Sequence, residues 1–303
     1  MRRVAAAAAL LLSALFPGTA AAAPSPATPA SPAAERAAPE VRDAMRRDDL
    51  DGAIRTGEAA VAAGRGTAQV HLWLGRAYGR KAATASVFKL PGLAKRCRSS
   101  FERAVALDPE DLDAHFELMR FHFLAPGIVG GDHAIARAQA AEIARRDAAR
   151  GHDAVAAILE HEKDLPGAEA ELRKAVAADP RSLNVASSFG GFLLRRKRYD
   201  EAAAFWQGRL AADPSERRAR FALARVALAS GKGLPEAVAH LQAVLAGPAD
   251  PDGPTWSDGR WRLGLVYERL GRREEAVREL REALRLFPGH AGAVKDLARL
   301  TNG

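Results

Sequence analysis

The sequence predicts an all-α protein built from stacked helical hairpins, and three observations predict it. Aromatic residues make up only 6% of the 303 residues, whereas Ala, Leu and Arg are abundant, a composition that favours helices over strands. In the segment WRLGLVYERLGRREEAVRELREALRLFP, which ends at Pro288, apolar residues recur at helical spacing on both sides of one glycine. The same arrangement returns elsewhere in the chain, and this indicates a repeat architecture.

The N-terminal residues predict export. Residues 1–23 combine two arginines, a short apolar run and a cleavage site of small residues, which are the three parts of a secretory signal peptide. The run is shorter than the roughly 20 residues of a membrane-spanning helix, so we expect cleavage, no membrane span in the mature chain, and a periplasmic location, with an extracellular one as the alternative. Residues 24–40, rich in Pro, Ala and Ser, are expected to be a disordered linker.

Small, bulky and proline residues at fixed offsets define the repeat. In the last unit they are Leu263, Gly264, Tyr267, Gly271, Ala276, Leu280, Ala283 and Pro288. Similar ladders comprise Phe189, Gly190, Leu193, Tyr199, Ala202, Trp206 and Pro214, and Leu74, Gly75, Tyr78, Phe101, Ala104 and Pro109. The small residues let the two helices of a hairpin approach closely, the bulky ones fill the space between them, and the proline ends the second helix.

This pattern resembles the tetratricopeptide repeat family over residues 41–303. The resemblance implies a right-handed superhelical solenoid of about seven antiparallel hairpins, because one hairpin alone cannot bury both of its faces. A last helix is expected to cap the stack and solvate its end. The expected hairpins are 41–67, 68–111, 112–148, 149–182, 183–216, 217–256 and 257–290, followed by the capping helix at 290–301.

Two neighbouring units depart from the pattern through extended turns. The segment ATASVFKLPGLA adds ten residues between the helices of the second unit, and FLAPGIVGGDHA extends the turn of the third. We name the two turns, 82–92 and 124–131, the edge loops. They carry the apolar residues Phe88, Ile128 and Val129. Either these loops pack on each other, or they form a lip that binds a partner, since loops on rigid scaffolds often carry function.

The first helix of each unit is the candidate binding surface. In the tetratricopeptide repeat family this helix lines a concave groove, and the resemblance implies that positions five and nine of each unit point into it. In the groove we therefore expect Leu72, Arg76, Arg80, Phe116, Arg120, Arg195, Phe221, Arg225, Trp261 and Arg269. Apolar groups next to arginines would suit an extended peptide that carries carboxylates. The alternative is that the arginines only solvate the concave face.

The chain contains no motif that indicates catalysis. Its eight histidines show no recognised metal-binding spacing, and packing is the expected role of His115 and His152, which the resemblance places where the family often has a bulky aromatic residue. Cys97 stands where the repeat has a small alanine, which predicts a buried thiol. We therefore predict a protein that is not an enzyme and that has no metal, no cofactor and no small-molecule substrate.

The functional prediction is a protein- or peptide-binding scaffold of a bacterial cell envelope that holds an acidic, extended partner in the groove. One alternative is a structural subunit of an envelope complex that uses the convex face or the edge loops. Another is a binder of anionic polymers or nucleic acid, because the net charge is +8 and basic runs occur at 95–98, 195–198 and 217–220. Export argues against nucleic acid as the partner.

Overall fold

The protein is a stack of helices from end to end of the part that the structure describes. The computed structural model describes residues 32–301, apart from positions 48, 84, 87 and 248–253. Within these residues the chain forms fifteen α-helices and one short 3₁₀ helix, with no strand. The all-α prediction is confirmed, whereas the predicted leader at 1–23 and residues 24–31 lie outside the described residues.

Fourteen of the described helices form seven hairpins. The first four hairpins are α1 (Pro32–Arg46) with α2 (Leu50–Ala62), α3 (Ala68–Ala83) with α4 (Leu90–Leu107), α5 (Leu112–Leu124) with α6 (His133–Arg146), and α7 (Ala148–Glu162) with α8 (Leu165–Ala178). The last three are α9 (Leu183–Arg195) with α10 (Tyr199–Ala212), α11 (Arg217–Ser230) with α12 (Leu234–Ala246), and α13 (Trp256–Arg269) with α14 (Arg273–Leu286). The final helix, α15 (Ala291–Thr301), packs on α14.

The first helices of the hairpins form the inner layer of the stack. Each helix packs mainly on its neighbours in sequence, and successive first helices also contact one another: α1 with α3, α3 with α5, α5 with α7, α7 with α9, α9 with α11 and α11 with α13. The predicted solenoid of repeated hairpins is therefore confirmed. None of the described helices is both long and apolar enough to cross a membrane.

Close approach of the two helices within a hairpin depends on glycine, as the repeat pattern predicts. A Cβ atom at Gly75 would lie 2.5 Å from the ring of Phe101, and one at Gly190 would lie 2.4 Å from the indole nitrogen of Trp206. The apolar core consists of successive clusters along the stack. Each hairpin therefore keeps its apolar faces dry by packing on the next one.

Side-chain caps begin many of the helices. The carboxylates of Asp49, Asp111, Asp132, Asp147 and Asp164 accept hydrogen bonds from backbone N–H groups at the start of the helices that follow. Ser182 and Thr255 cap α9 and α13 in the same way. Such caps satisfy the free N–H groups of a first turn, which explains why these helices begin where they do.

Two predicted boundaries are corrected. Residues 32–40, which were expected to belong to a linker, form the first part of α1, because Ala37 (1% exposed) and Val41 (0%) are buried against the rest of the stack. The insertion in the second unit mainly lengthens its helices, since α3 has 16 residues and α4 has 18. Only a short turn before Leu90 remains of the predicted loop at 82–92.

Candidate binding groove

The concave side of the stack forms a groove of about 1680 Å³. Residues of α1, α3, α5, α9, α11 and α13 line it, together with part of α4 and the residues around the start of α15. The first helices thus supply most of its wall, which is where the resemblance placed the concave surface. A second recess of about 200 Å³ lies between α9 and α11.

The N-terminal end of the groove is the part formed by α3 and α5. Acidic side chains neutralise the arginines there. The Nε of Arg76 donates to Glu117 Oε1 at 2.9 Å, and its Nη2 lies 3.7 Å from Asp113. The Nη1 of Arg120 donates to the other oxygen of Glu117 at 3.2 Å. The carboxylate of Glu117 therefore ties α3 to α5 and offsets both guanidinium groups.

Aromatic and backbone groups fix the same arginines further. The guanidinium of Arg76 lies 4.6 Å from the centroid of the Trp73 ring, a cation–π distance. Arg80 Nη1 donates to the carbonyl of Met45 at 3.1 Å, so it links α3 to α1. The arginines at this end are thus parts of the scaffold as well as of the groove wall.

At the C-terminal end of the stack, α11 and α13 carry Arg225 and Arg262, neither of which forms an ion pair within the described part of the chain, although the charge of Asp258 acts on Arg262. The guanidinium of Arg262 lies between two rings, 5.2 Å from the centroid of Phe221 and 4.8 Å from that of Trp261. Its Nε is buried and finds no acceptor among the described residues. Burial, reinforced by the charge of Arg225, lowers the pKa of Arg262 to about 10. Partial desolvation of the guanidinium and the charge of Arg195 also lower the pKa of Arg225, although its side chain as a whole is exposed.

Several predicted groove residues are engaged by the protein itself. Arg195 makes a two-pronged ion pair with Glu160, at 2.9 and 2.7 Å. The Nε1 of Trp261 donates to Asp296 on the capping helix at 2.8 Å. Phe116 is half-buried beneath the guanidinium of Arg150, 5.6 Å away. Arg120, Arg225 and Arg269 are exposed.

Leu72 lines the groove from a nearly buried position. Its side chain is only 1% exposed and also belongs to the core between the first hairpins. The neighbouring Trp73 lines the groove too and is half-buried. Trp73, Glu117 and Arg262 were missed because they occupy position six, which the family resemblance does not single out.

The edge loops combine packed and uncovered residues. Val129 is half-buried and lines the groove together with Leu90, and the guanidinium of Arg98 on α4 lies against Gly130. By contrast, Phe88 is 93% exposed and Ile128 is 95% exposed. The turn at 124–131 therefore packs on α4, while one apolar residue at each loop remains open to solvent.

His115 and Cys97 are buried in the packed stack, and His152 is half-buried with its Nδ1 2.6 Å from Glu171. Both ring nitrogens of buried His115 are satisfied, by Gln139 at 2.6 Å and by the carbonyl of Pro109 at 2.9 Å. Cys97 is buried, and burial raises the pKa of its thiol to about 12. Within the described part of the chain, no three His, Cys, Asp or Glu side chains converge as a metal site.

Comparison with known families and curated proteins assigns the repeats. Two family models, each described as a tetratricopeptide repeat, match residues 192–254 and 257–300. The type IV pilus assembly protein PilF of Pseudomonas aeruginosa is 43% identical over 54 residues, which are 18% of this chain and 21% of PilF. The match thus spans about a fifth of the length of this curated relative.

Solved structures share the helical-repeat fold. Yeast Tom70 is 13% identical with a TM-score of 0.54, over 84% of this chain and 52% of Tom70. A human IFIT1 dimer with PPP-AAAA is 15% identical with a TM-score of 0.54, over 83% of this chain and 59% of IFIT1. A tetratricopeptide repeat protein from Parabacteroides merdae covers 90% of this chain and all of its own, at 14% identity and a TM-score of 0.48. At these identities the likeness concerns the fold alone.

Proposed function

We propose that this chain, which is a tetratricopeptide repeat protein, is a non-catalytic scaffold that holds an extended acidic segment of another protein in its groove. The observation that carries the proposal is the continuous concave surface of about 1680 Å³, lined by first helices and rich in arginine. A rigid stack presents such a surface without closing over it. An extended segment could therefore lie along several repeats at once.

The chemistry of the groove supports an acidic peptide over a neutral one. A guanidinium presents fork-shaped donors that match a carboxylate in two-pronged geometry. Exposed Arg120, Arg225 and Arg269 place such donors on three first helices. Ring surfaces at Trp73 and Phe221 lie beside them, and they can cover the apolar side chains of a bound segment.

We place the protein in the cell envelope. The apolar leader at 1–23 is the sequence feature that favours export. The segment that is 43% identical to PilF, a pilus assembly protein, supports a role in assembling an envelope structure. Because that segment is 21% of PilF, the partner of PilF is not transferred to this chain.

A second candidate function is that of a structural subunit which docks through the edge loops. The exposed side chains of Phe88 and Ile128 favour it, because large apolar groups that water surrounds commonly mark interaction sites. Binding of anionic polymers is less well supported. Four arginines of the basic runs already pair with glutamates: Arg96, Arg98, Arg195 and Arg198.

Partner capture with matched charge variants tests the groove. The mature chain, the groove variant Arg120→Glu/Arg225→Glu/Arg269→Glu and a control variant are immobilised and exposed to envelope extract. The control, Arg145→Glu/Arg278→Glu/Arg281→Glu, makes the same change in net charge at exposed positions on second helices. We expect the wild type and the control to retain the same partner, and the groove variant to lose it.

A photo-crosslinker identifies the bound segment. Leu124 lines the groove and is 53% exposed, so p-benzoylphenylalanine at this position should crosslink to the partner. Mass spectrometry of the product is expected to find an extended acidic sequence. If the groove variant keeps the partner and the variant Phe88→Ser/Ile128→Ser loses it, the edge loops are the binding site.

A further inference from the structure

The two edge loops lie at one edge of the stack. The 3₁₀ helix of the second loop, Gly127–Val129, packs on α4, the helix that follows the first loop. Leu90, at the start of α4, and Val129 both line the rim of the groove. The residues that precede Leu90 and those around Val129 therefore face the same surroundings outside the groove.

Each edge loop presents one large apolar side chain to water. Phe88 is 93% exposed and Ile128 is 95% exposed, which makes them the most exposed large apolar side chains of the described residues. Leu124, at the beginning of the second loop, is 53% exposed. Side chains that water surrounds almost completely gain no burial energy for the fold. Their exposure therefore indicates contact with something outside the chain.

Two lysines that form no ion pair in the described part of the chain flank Phe88. Lys89 follows Phe88 directly, Lys95 lies in the second turn of α4, and both side chains are exposed. Lys81 is the main cause of the lowered pKa of Asp51, and the charge of Lys89 adds to the same shift without forming an ion pair. Ammonium groups thus stand beside the apolar side chain of the first loop.

The acids that contact basic side chains near the edge loops are already engaged. Asp132 accepts hydrogen bonds from two backbone N–H groups at the start of α6. Three more pair with basic side chains of α3 and α4: Asp51 with Lys81, Glu58 with Arg96, and Glu102 with Arg98. The ammonium groups of Lys89 and Lys95 therefore remain available to an anionic partner.

This combination matches the surface of a lipid bilayer. Anionic headgroups lie there directly above an apolar interior, and protein binding increases with both the apolar area inserted and the attraction of basic residues to the headgroups. A specific interface with another protein buries about 800 Å² on each partner, whereas the apolar side chains here protrude singly from two loops. Protruding apolar side chains beside lysines suit a membrane better than a protein surface.

We propose that this edge of the stack docks peripherally on a membrane that contains anionic phospholipids. Phe88 and Ile128 insert among the acyl chains, while Lys89 and Lys95 stay at the level of the lipid phosphates. None of these four side chains lines the groove. The inference therefore goes beyond the proposed function and does not depend on it, since a chain held in this way keeps its groove lining free for a partner.

Vesicle sedimentation tests the docking. The mature chain is mixed with vesicles of equal parts phosphatidylglycerol and phosphatidylcholine, or with vesicles of phosphatidylcholine alone. We expect at least about tenfold tighter binding to the mixed vesicles, because two lysines near an anionic surface together account for about that factor. Lys89→Gln/Lys95→Gln should remove this preference. Phe88→Ser/Ile128→Ser should weaken binding to the mixed vesicles by at least about tenfold as well.

Matched controls change the same chemistry elsewhere. Leu107→Ser/Val294→Ser removes two apolar side chains that are 41% and 49% exposed, at the far end of α4 and on α15. Arg278→Gln/Arg281→Gln removes two exposed positive charges from α14. Each control should bind the mixed vesicles within about twofold of the wild type, because surface substitutions away from the site change little. Circular dichroism checks that every variant is folded.

An environment-sensitive fluorophore tests the insertion itself. Ile128→Cys is labelled with a nitrobenzoxadiazole group, whereas buried Cys97 has a thiol pKa of about 12 and does not react. Emission should increase when the mixed vesicles are added, because the label enters an apolar environment. The same label at Val294→Cys, on α15, should show no increase. An equal increase at both positions, or none at position 128, would contradict insertion of this edge.

The remaining outcomes also decide the inference. Absence of vesicle binding would overturn it, as would binding that Phe88→Ser/Ile128→Ser leaves unchanged. A dimer in analytical ultracentrifugation that the same variant dissociates, without vesicle binding, would assign the edge to a second copy of the chain. The groove variant tests the scaffold separately, so partner capture that depends on the groove would still support the proposed function in each of these cases.

Discussion

Arg76 and Arg262 lie against aromatic rings on first helices at the two ends of the stack, yet their electrostatic surroundings differ. Arg76 has Glu117 at 2.9 Å and Asp113 at 3.7 Å, whereas Arg262 has two rings, a second arginine nearby and a buried Nε without an acceptor in the described chain. Arg76 therefore links two first helices through ion pairs, whereas Arg262 is held by rings and forms no ion pair in the described chain, although the charge of Asp258 acts on it. In this stack, the residue on the next first helix decides whether an arginine becomes part of an ion pair.

The largest expected effect on stability comes from replacing Asp153, which lies on α7 between the two ends of the groove. Its side chain is buried, and burial raises its pKa from 3.8 to about 6. An acid with a raised folded-state pKa destabilises the fold when it is ionised, so this penalty is present above pH 6 and fades as the pH falls towards 3.8. Asp153→Asn should therefore increase the free energy of unfolding by about 3 kcal/mol at pH 8.

The measurement is urea unfolding of both proteins at pH 8 and at pH 4. The increase in the free energy of unfolding caused by Asp153→Asn should be almost absent at pH 4, because the wild-type carboxyl is largely protonated there in the folded state. A gain of equal size at both pH values would mean that the amide improves packing or hydrogen bonding, and that the buried charge is not the cause.

Close helix approach is the feature that the two ends share. Gly75→Ala places a Cβ 2.5 Å from Phe101, and Gly190→Ala places one 2.4 Å from Trp206. Overpacking of this kind lowers the free energy of unfolding by about 1–3 kcal/mol. We expect urea unfolding to show a similar decrease at both sites. Gly208→Ala on α10 is the control, because a Cβ there meets nothing within 4 Å. A loss at Gly208 as large as that at Gly190 would argue against the packing explanation.

Replacing each arginine with methionine sharpens the contrast in stability. Arg76→Met breaks the link between α3 and α5 and should cost about 1 kcal/mol. Arg262→Met keeps the apolar volume but removes a charge that burial disfavours, so its melting temperature should equal or exceed that of the wild type. Differential scanning calorimetry compares the two variants. A larger decrease in melting temperature for Arg262→Met than for Arg76→Met would mean that Arg262, and not Arg76, stabilises the stack.

The smallest expected effect comes from removing the acid at the N-terminal end. Glu117→Gln leaves Arg76 and Arg120 without their shared carboxylate and should give this end some affinity for a fluorescein-labelled octapeptide of alternating glutamate and leucine. We expect a second, weaker binding step in the anisotropy titration, with Arg225→Gln in the same chain removing only the tighter step. Unchanged single-site binding would show that a missing acid alone does not create a site.

The order of the helices could be predicted from the sequence because the signals for it are local. A small residue, a bulky residue and a proline recur at fixed offsets, and the seven hairpins and the capping helix follow from them. The beginning of α1 could not be predicted in this way. Its Pro- and Ala-rich composition resembles a linker, and it is a helix because Ala37 packs with Ala60 and Val70 of the next elements.

The charge pattern of the groove was only half predictable. The arginines at position nine were found from the family resemblance, but whether each has a partner depends on position six of the following unit. Glu117 and Arg262 occupy that position, and comparing charges between neighbouring units, as opposed to within one helix, would have found the difference. The depth of Leu72 could not be predicted, because spacing alone does not define which of two adjacent residues is more deeply buried.

Hydrogen exchange of the mature chain with and without an octapeptide of alternating glutamate and leucine tests most directly where the stack binds an acidic segment. We expect slower exchange in α11 and α13 when the peptide is bound, no change in α12 and α14, and loss of the effect in Arg262→Glu. Slower exchange confined to second helices or to residues 124–131, or protection of α11 and α13 that persists in Arg262→Glu, would contradict binding of the acidic segment by the first helices.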